Sequence, residues 1–165
     1  MTRAAALSLT VFAAVLAGCG PQGGSDTTAS PGAAAPAAPA PSDAEAQALL
    51  ASLPAPYNGA DLANGKRQFA KCRSCHTLPE GGPNMTGPNL YGVFGRQAGS
   101  KPDYRYSEAL KTAGFAWDAQ KLDGWLADPR GFLPGNKMSF VGVKEAKDRV
   151  DLIAYLKTQT GYKPG

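Results

Sequence analysis

The stretch Cys72-Arg73-Ser74-Cys75-His76 is the most informative part of this sequence. Two cysteines three positions apart, followed at once by a histidine, form the signature of c-type haem attachment. In this motif the two sulphur atoms form thioethers with the haem vinyl groups, and the imidazole binds the iron from one side. A dithiol redox pair would be expected within a βαβ pattern, and a zinc site would need a second pair of ligands; the sequence offers neither. The motif therefore predicts one covalently bound haem c on Cys72, Cys75 and His76.

His76 is the only histidine among the 165 residues. A two-histidine zinc site and a bis-histidine haem are therefore excluded, and a Ser-His-Asp triad would have to use His76 itself. The second axial ligand of the iron is then expected to be a methionine, either Met85 or Met138, because Met1 is lost with the signal sequence. Met138 is favoured because Pro134 and Gly135, just before it, predict a tight turn that can present the thioether. The alternative role for Met138 is a gap-filling core methionine.

The charge of the chain is divided unevenly along its length. The first 56 residues hold one base, Arg3, and three acids, Asp26, Asp43 and Glu45, so their net charge is −2. The chain as a whole carries +4, which leaves +6 on the remaining 109 residues. No nucleic-acid-binding motif accompanies this basic charge, and export from the cytoplasm argues against such a partner.

Residues 1–18 have the pattern of a secretory signal, with Arg3 before an apolar run that is too short to span a bilayer. The run ends in Leu16-Ala17-Gly18-Cys19, which resembles the lipobox of bacterial lipoproteins. The resemblance implies that Cys19 is lipidated and becomes the new N-terminus, so that the protein is anchored to a membrane without spanning it. The alternative is an ordinary signal followed by a fortuitous cysteine. The expected location is the periplasmic face of a bacterial membrane.

Residues 19–56 are expected to form a flexible tether between this anchor and the compact domain. From Gly20 to Pro56, 29 of 37 residues are Ala, Pro, Gly, Ser or Thr, a composition with too little apolar bulk to build a core. The run at 43–50 is compatible with a short helix. An inert spacer is the alternative interpretation of the whole segment.

The remaining residues, 57–165, are expected to form one small all-α domain. Helical patterns cover residues 61–71, with Asp61 as a cap, 107–112, 118–127 and 146–158. No segment alternates convincingly as a strand would. A domain of this size with long loops has a thin core of its own, so a buried apolar macrocycle would supply much of the packing.

From Asp61 to Lys163 the chain resembles a class I cytochrome c of the mitochondrial and alphaproteobacterial type. The stretches that carry this resemblance are 65–69, 72–76, 86–96, 106–110, Trp117, 134–138 and 151–157. The resemblance implies a small all-α fold in which short helices and loops surround one haem. It also implies that the first and last helices cross, with Gly65 and Phe69 against Leu152 and Tyr155.

The same resemblance assigns roles around the haem. It implies that the Pro88 carbonyl accepts a hydrogen bond from His76, and that Arg96, Tyr106 and Trp117 hold the haem propionates. Phe140 corresponds to the aromatic residue beside the exposed haem edge. Without the resemblance, Arg96 would be interpreted as a surface base and the aromatic residues as core.

Two positions depart from the pattern of the family. Trp125 stands where a tyrosine usually lies near the methionine sulphur, and Leu110 stands where asparagine is common. Because an indole donates a hydrogen bond but cannot accept one, the polar network on this side of the haem is expected to be thinner.

The resemblance implies a monomeric one-electron carrier and not an enzyme, with His76 and Met138 bound to the iron in both oxidation states. Its expected partners are a quinol-oxidising bc-type complex and a terminal oxidase, met through the basic residues Lys71, Arg130, Lys137 and Lys144. A generally basic, solvated surface is the alternative interpretation of these four residues. Two other functions stay open: a haem-based sensor or peroxidase-like enzyme with a labile Met138, and an electron-input module for one periplasmic enzyme.

Overall fold

The computed structural model describes residues 36–164 of the chain. Within that range the structure is all-α, as predicted, and its only β feature is an isolated bridge between Gln97 and Ala116. A single 3₁₀ turn covers Tyr57–Gly59. The α-helices are α1 (Asp43–Ser52), α2 (Leu62–Phe69), α3 (Glu108–Lys111), α4 (Ala119–Ala127), α5 (Pro129–Phe132) and α6 (Ala146–Gln159). No helix among these residues is both long enough and apolar enough to cross a membrane.

Helices α2 and α6 cross at a glycine, as expected. The N-cap of α2 is Asp61, whose carboxylate accepts a hydrogen bond from the Asn64 amide. At Gly65 a β-carbon would lie 2.6 Å from Cβ of Tyr155 and would also collide with the Asp151 carbonyl. Only a residue without a side chain therefore permits this approach of the two backbones. One turn later Phe69 packs against Tyr155, with ring centroids 6.0 Å apart.

The core lies between these helices and α4. Leu152 and Ile153 of α6 are fully buried, and Leu122 and Leu126 of α4 join the same apolar cluster. Helices α3, α4 and α5 begin with residues that favour a helix start: Ser107 caps α3, Asp118 caps α4, and a proline occupies the first turn of α5. The loops between the helices surround the remaining side of this cluster.

The tether does not extend to Pro56. The helix suggested for 43–50 is present as α1, and Leu50 and Leu53 are buried against Ala154 of α6. Ser42 and Glu45 form a reciprocal capping box at its start. Before α1, the Ala38 amide donates to the Glu80 carbonyl at 2.9 Å. The ordered domain therefore begins well before residue 57. Ala154 is a small residue, so it leaves room on α6 for Leu50 and Leu53. The predicted signal and Cys19 lie outside the described residues.

Candidate functional site

The core contains a cavity of about 280 Å³. Its walls are mostly apolar, and they come from four helices as well as the loops. Phe69 is contributed by α2, Leu110 by α3, Leu122, Trp125 and Leu126 by α4, and Leu152 and Leu156 by α6. Such a lining suits a largely apolar cofactor.

Both cysteines of the central motif lie at this cavity, just beyond the end of α2. The Cys72 amide donates to the Phe69 carbonyl at 2.8 Å, and the Cys75 amide donates to the Cys72 carbonyl at 3.0 Å. These bonds continue the helix as tight turns and bring both part-buried thiols to the cavity. Burial raises the pKa of the Cys72 thiol to about 11, so this group is protonated at neutral pH.

His76 is oriented by a single hydrogen bond. Its Nδ1 lies 2.7 Å from the Pro88 carbonyl oxygen, which is the contact expected from the sequence. Because a carbonyl only accepts, Nδ1 carries the proton and Nε2 keeps its lone pair. Burial lowers the pKa of His76, and the bond to Pro88 opposes that shift in part. A β-carbon at Gly87 would lie 2.7 Å from either ring nitrogen, so glycine allows the loop to cover the ring.

Of the two methionines considered for the iron, Met138 lines the cavity, whereas Met85 does not line it and is 46% exposed. The turn before Met138 is built by Asn136. The Asn136 side-chain nitrogen donates to the Pro129 and Leu133 carbonyls, each at 2.8 Å. Its side-chain oxygen accepts from the Met138 backbone amide at 2.8 Å. Sequence analysis gave Asn136 no role, although asparagine in a Pro-Gly turn is a signal for such bonding.

The three residues assigned to the haem propionates also line the cavity. Two nitrogens of the Arg96 guanidinium donate to backbone carbonyls, at 2.9 Å to Tyr91 and at 3.4 Å to Asn89, which fixes the side chain in place. Tyr106 is half-buried, and burial raises the pKa of its phenol. Trp117 is 8% exposed. The cavity therefore has one end where hydrogen-bond donors and aromatic rings meet.

The two residues that depart from the family pattern, Trp125 and Leu110, face the same cavity. The Trp125 ring packs edge-on against Trp117, with centroids 5.4 Å apart, and against Phe132 at 6.1 Å. Within residues 36–164 its indole makes no hydrogen bond to another protein group. Aromatic packing thus occupies the place where a phenol could have joined a polar network. Phe140, expected at the haem edge, is half-buried and also lines the cavity.

Comparisons with known proteins agree with this arrangement. The family model described as cytochrome c matches residues 62–160. The chain belongs to the cytochrome c family. It is 42% identical over 107 residues to cytochrome c2 of Agrobacterium tumefaciens, a match that covers 63% of this chain and 96% of that protein. It is 47% identical over 98 residues to cytochrome c of Theileria parva, covering 59% and 84%.

A solved structure is similar in both fold and sequence. Cytochrome cH from Methylobacterium extorquens superposes with a TM-score of 0.56 and is 45% identical. The match covers 60% of this chain and 99% of that one. Helix α1 precedes the residues that the family model matches, so it is an addition in front of the shared domain.

The site fits the cofactor of this family, which is haem c bound covalently through two thiols. One apolar cavity gathers two cysteine thiols, an imidazole with a free Nε2 and a thioether. These are the donor types that c-type haem uses. The chain therefore binds one haem c as a member of a family of haem-bearing electron carriers.

The basic residues predicted for partner contact fall into two groups. Lys71 and Lys137 are exposed and line the cavity, whereas Arg130 and Lys144 are exposed without lining it. Lys144 donates to the Ala127 carbonyl at 2.9 Å. Arg105 also lines the cavity, and sequence analysis missed it although it directly precedes Tyr106. The rim of this cytochrome cavity is therefore positively charged.

Proposed function

We propose that this cytochrome is a one-electron carrier held at the periplasmic face of a bacterial membrane by a lipid on Cys19. Haem c supplies the one-electron couple. His76 and Met138 would bind its iron, the apolar cavity would surround it and the basic rim would meet partners, and no substrate bond would be made or broken. The observation that carries this proposal is that His76 and Met138 line one cavity while Met85 stands outside it.

The two ligand side chains explain why a carrier is favoured over a catalyst. Iron with both axial positions filled offers no open site to peroxide or to a gas, and an axial methionine raises the reduction potential relative to a second histidine. The residues that hold these side chains are engaged in hydrogen bonds, from His76 to Pro88 and from the Met138 amide to Asn136. A fixed coordination sphere reorganises little when the electron moves.

Optical spectroscopy of the haem-loaded protein tests the closed iron site. We expect the weak far-red band of a methionine–ferric iron bond and no spectral change when carbon monoxide is added to the reduced protein. Met138→Leu should remove the band and admit carbon monoxide, whereas the matched variant Met85→Leu should change neither. Ready carbon monoxide binding by the wild-type protein would contradict the carrier and favour a sensor or enzyme with a labile methionine.

The lipid anchor rests on the sequence Leu16-Ala17-Gly18-Cys19 and on the signal pattern of residues 1–18. Mass spectrometry of the mature N-terminus should find a diacylglycerol on Cys19 and no residue before it. Cys19→Ser should release the cytochrome from the membrane fraction, while its haem spectrum stays unchanged. A mature wild-type protein that begins elsewhere, without lipid, would contradict the anchor.

For the partners we propose a quinol-oxidising bc-type complex as donor and a terminal oxidase as acceptor. Lys71 and Lys137 on the cavity rim, with Arg130 and Lys144 beyond it, would meet acidic surfaces on both. Such contacts raise association rates and weaken as salt is added. Lys137→Gln should lower the second-order rate with each partner more than Lys66→Gln, because Lys66 is exposed on α2 and does not line the cavity. Equal effects of the two substitutions would mean that only the net charge matters.

A further inference from the structure

A second concave site lies on the surface of the domain, and apart from Trp117 its lining residues differ from those of the haem cavity. It is a cleft of about 590 Å³, within the range of roughly 300–1,000 Å³ that small-molecule sites occupy. Its lining residues include Phe94, Trp117 and Tyr162, and the rings of Phe94 and Tyr162 pack edge-on with centroids 5.4 Å apart. The rim residues Lys71 and Lys137 of the haem cavity are not part of it.

Lys157 of α6 is the unusual residue of this cleft. It lines the cleft yet is only 5% exposed. Its ammonium lies over three rings, 3.4 Å from the centroid of Tyr162, 4.4 Å from that of Phe94 and 5.8 Å from that of Tyr57. In the described part of the chain, no carboxylate pairs with this ammonium and no oxygen accepts a hydrogen bond from it. The three rings are therefore the contacts of this ammonium, and it has no anionic partner among the described residues.

The charges at the cleft limit what could bind there. Lys157 and Lys163 contribute two positive charges, and Asp118 contributes one negative charge. Asp118 is partly engaged, because its carboxylate accepts from the Lys121 amide at 2.6 Å as the N-cap of α4. A ligand with one negative charge would neutralise the remaining positive charge. The aromatic residues of the cleft, Phe94, Trp117 and Tyr162, would favour a planar apolar body.

We infer that this cleft binds a planar aromatic monoanion, with its charged group at Lys157 and its ring among Phe94, Trp117 and Tyr162. Trp117 lines both the cleft and the haem cavity, so the ligand would contact a residue that also borders the cofactor. The proposed site does not depend on the lipid anchor or on the identity of the redox partners.

A titration of the reduced, diamagnetic holoprotein with naphthalenesulfonate, followed by NMR, tests the site. Naphthalenesulfonamide is the matched probe, because it has the same ring and no charge. We expect the sulfonate to shift the backbone amides of Gly95, Ala116 and Gly161 and the Trp117 indole N–H, and to bind at least tenfold more tightly than the sulfonamide. A tenfold ratio corresponds to about 1.4 kcal/mol.

Two variants identify the lysine responsible. Lys157→Met keeps the length and apolar character of the side chain and should weaken sulfonate binding about tenfold, while sulfonamide binding is unchanged. Lys66→Met removes the same charge from α2, outside the cleft, and should leave sulfonate binding within about twofold. Equal affinity for the two probes would overturn the inference even if Lys157→Met did not fold. It would also be overturned if the shifts gathered at Lys71 and Lys137, or if no amide of the cleft responded.

Discussion

Two helices from the N-terminal half of the domain pack against α6 in different ways. Helix α2 meets α6 backbone to backbone at Gly65, and polar groups join the two. Buried Asp151 of α6 accepts from the Asp61 amide at 2.9 Å and from the Asn64 side chain at 2.8 Å. Helix α1 instead places Leu50 and Leu53 on Ala154, and no hydrogen bond joins it to α6.

The two contacts use neighbouring faces of α6. Residues 151 and 155 face α2, and at 100° per residue Ala154 lies about 60° round the helix from the first and about 100° from the second. Phe69 of α2 lines the haem cavity, whereas Leu50 and Leu53 do not line it, although Leu62 of α2 packs against the same cluster as these leucines. We expect the α2–α6 contact to be lost only when the whole domain unfolds. We expect the purely apolar contact between α1 and α6 to open on its own.

Gly65→Ala should cause the largest loss. Its new β-carbon would meet the Asp151 carbonyl and Cβ of Tyr155, both on α6, so the helices would have to separate. We expect a loss of about 3 kcal/mol or more in the free energy of unfolding, despite the better helix propensity of alanine. Guanidinium denaturation of the holoprotein measures it. Gly59→Ala is the control, since nothing lies within 4 Å of the added carbon; similar losses in both variants would refute the close-contact explanation.

Asp151→Ala should have the next largest effect. It would leave the Asp61 amide without this acceptor and the Asn64 side chain with only its bond to Asp148 at 2.7 Å, and it would break the ion pair to Lys147 at 2.7 Å. Because the Lys147 side chain is 75% exposed, most of the expected loss of about 2–3 kcal/mol comes from the buried hydrogen bonds. Glu145→Gln, at the start of the same helix, removes a carboxylate that makes no cap bond and should stay within about 0.5 kcal/mol.

The effect of Asp151 should also depend on pH. Burial opposes its ionisation, but hydrogen bonds from Lys147, Asn64 and the Asp61 amide outweigh burial and lower the pKa of its carboxyl below the ordinary value of 3.8. The carboxylate therefore stabilises the fold above that value, and this contribution is lost as the pH falls through the lowered pKa. The stability difference between wild type and Asp151→Asn should be constant near neutrality and should shrink below about pH 4. A difference that grew on acidification would contradict this assignment.

The contact of α2 with α6 could be predicted from the sequence, whereas the contact of α1 could not. The α2–α6 crossing and the bond from His76 to Pro88 could be predicted, because both depend on local motifs and on a family resemblance. The docking of α1 could not be predicted. Its leucines lie in an Ala- and Pro-rich segment, and nothing in the sequence indicates that they would pack on Ala154. The roles of Asn136 and of Lys157 depend on loops and on a C-terminal turn that bring distant residues together.

Leu50→Ala tests whether α1 can detach. A leucine truncated inside a core costs about 2–5 kcal/mol, but here the loss cannot exceed what docking itself contributes. We therefore expect a loss of about 1 kcal/mol in the free energy of unfolding of the domain. We also expect rapid proteolytic cleavage within residues 43–52 while the haem spectrum is retained. Gln47→Ala, on the exposed side of α1, should leave cleavage slow. A core-sized loss accompanied by a changed haem spectrum would show that α1 belongs to the same cooperative unit as α2.

Ser42→Ala should have the smallest effect and should be confined to α1. Ser42 accepts from the Glu45 amide at 3.3 Å, and its own amide donates to the Glu45 carboxylate at 2.8 Å. Loss of an N-cap hydroxyl costs about 0.5–1 kcal/mol, which a separately docked helix would show as faster opening of that helix alone. Hydrogen exchange should therefore quicken severalfold in the α1 amides and stay unchanged at Leu152 and Ile153. Ser52→Ala, which removes only a bond to the Leu49 carbonyl at the other end, should quicken exchange less. If the α6 amides quickened in step with those of α1, the two contacts on α6 would be coupled, and α1 would not be independent of the haem domain.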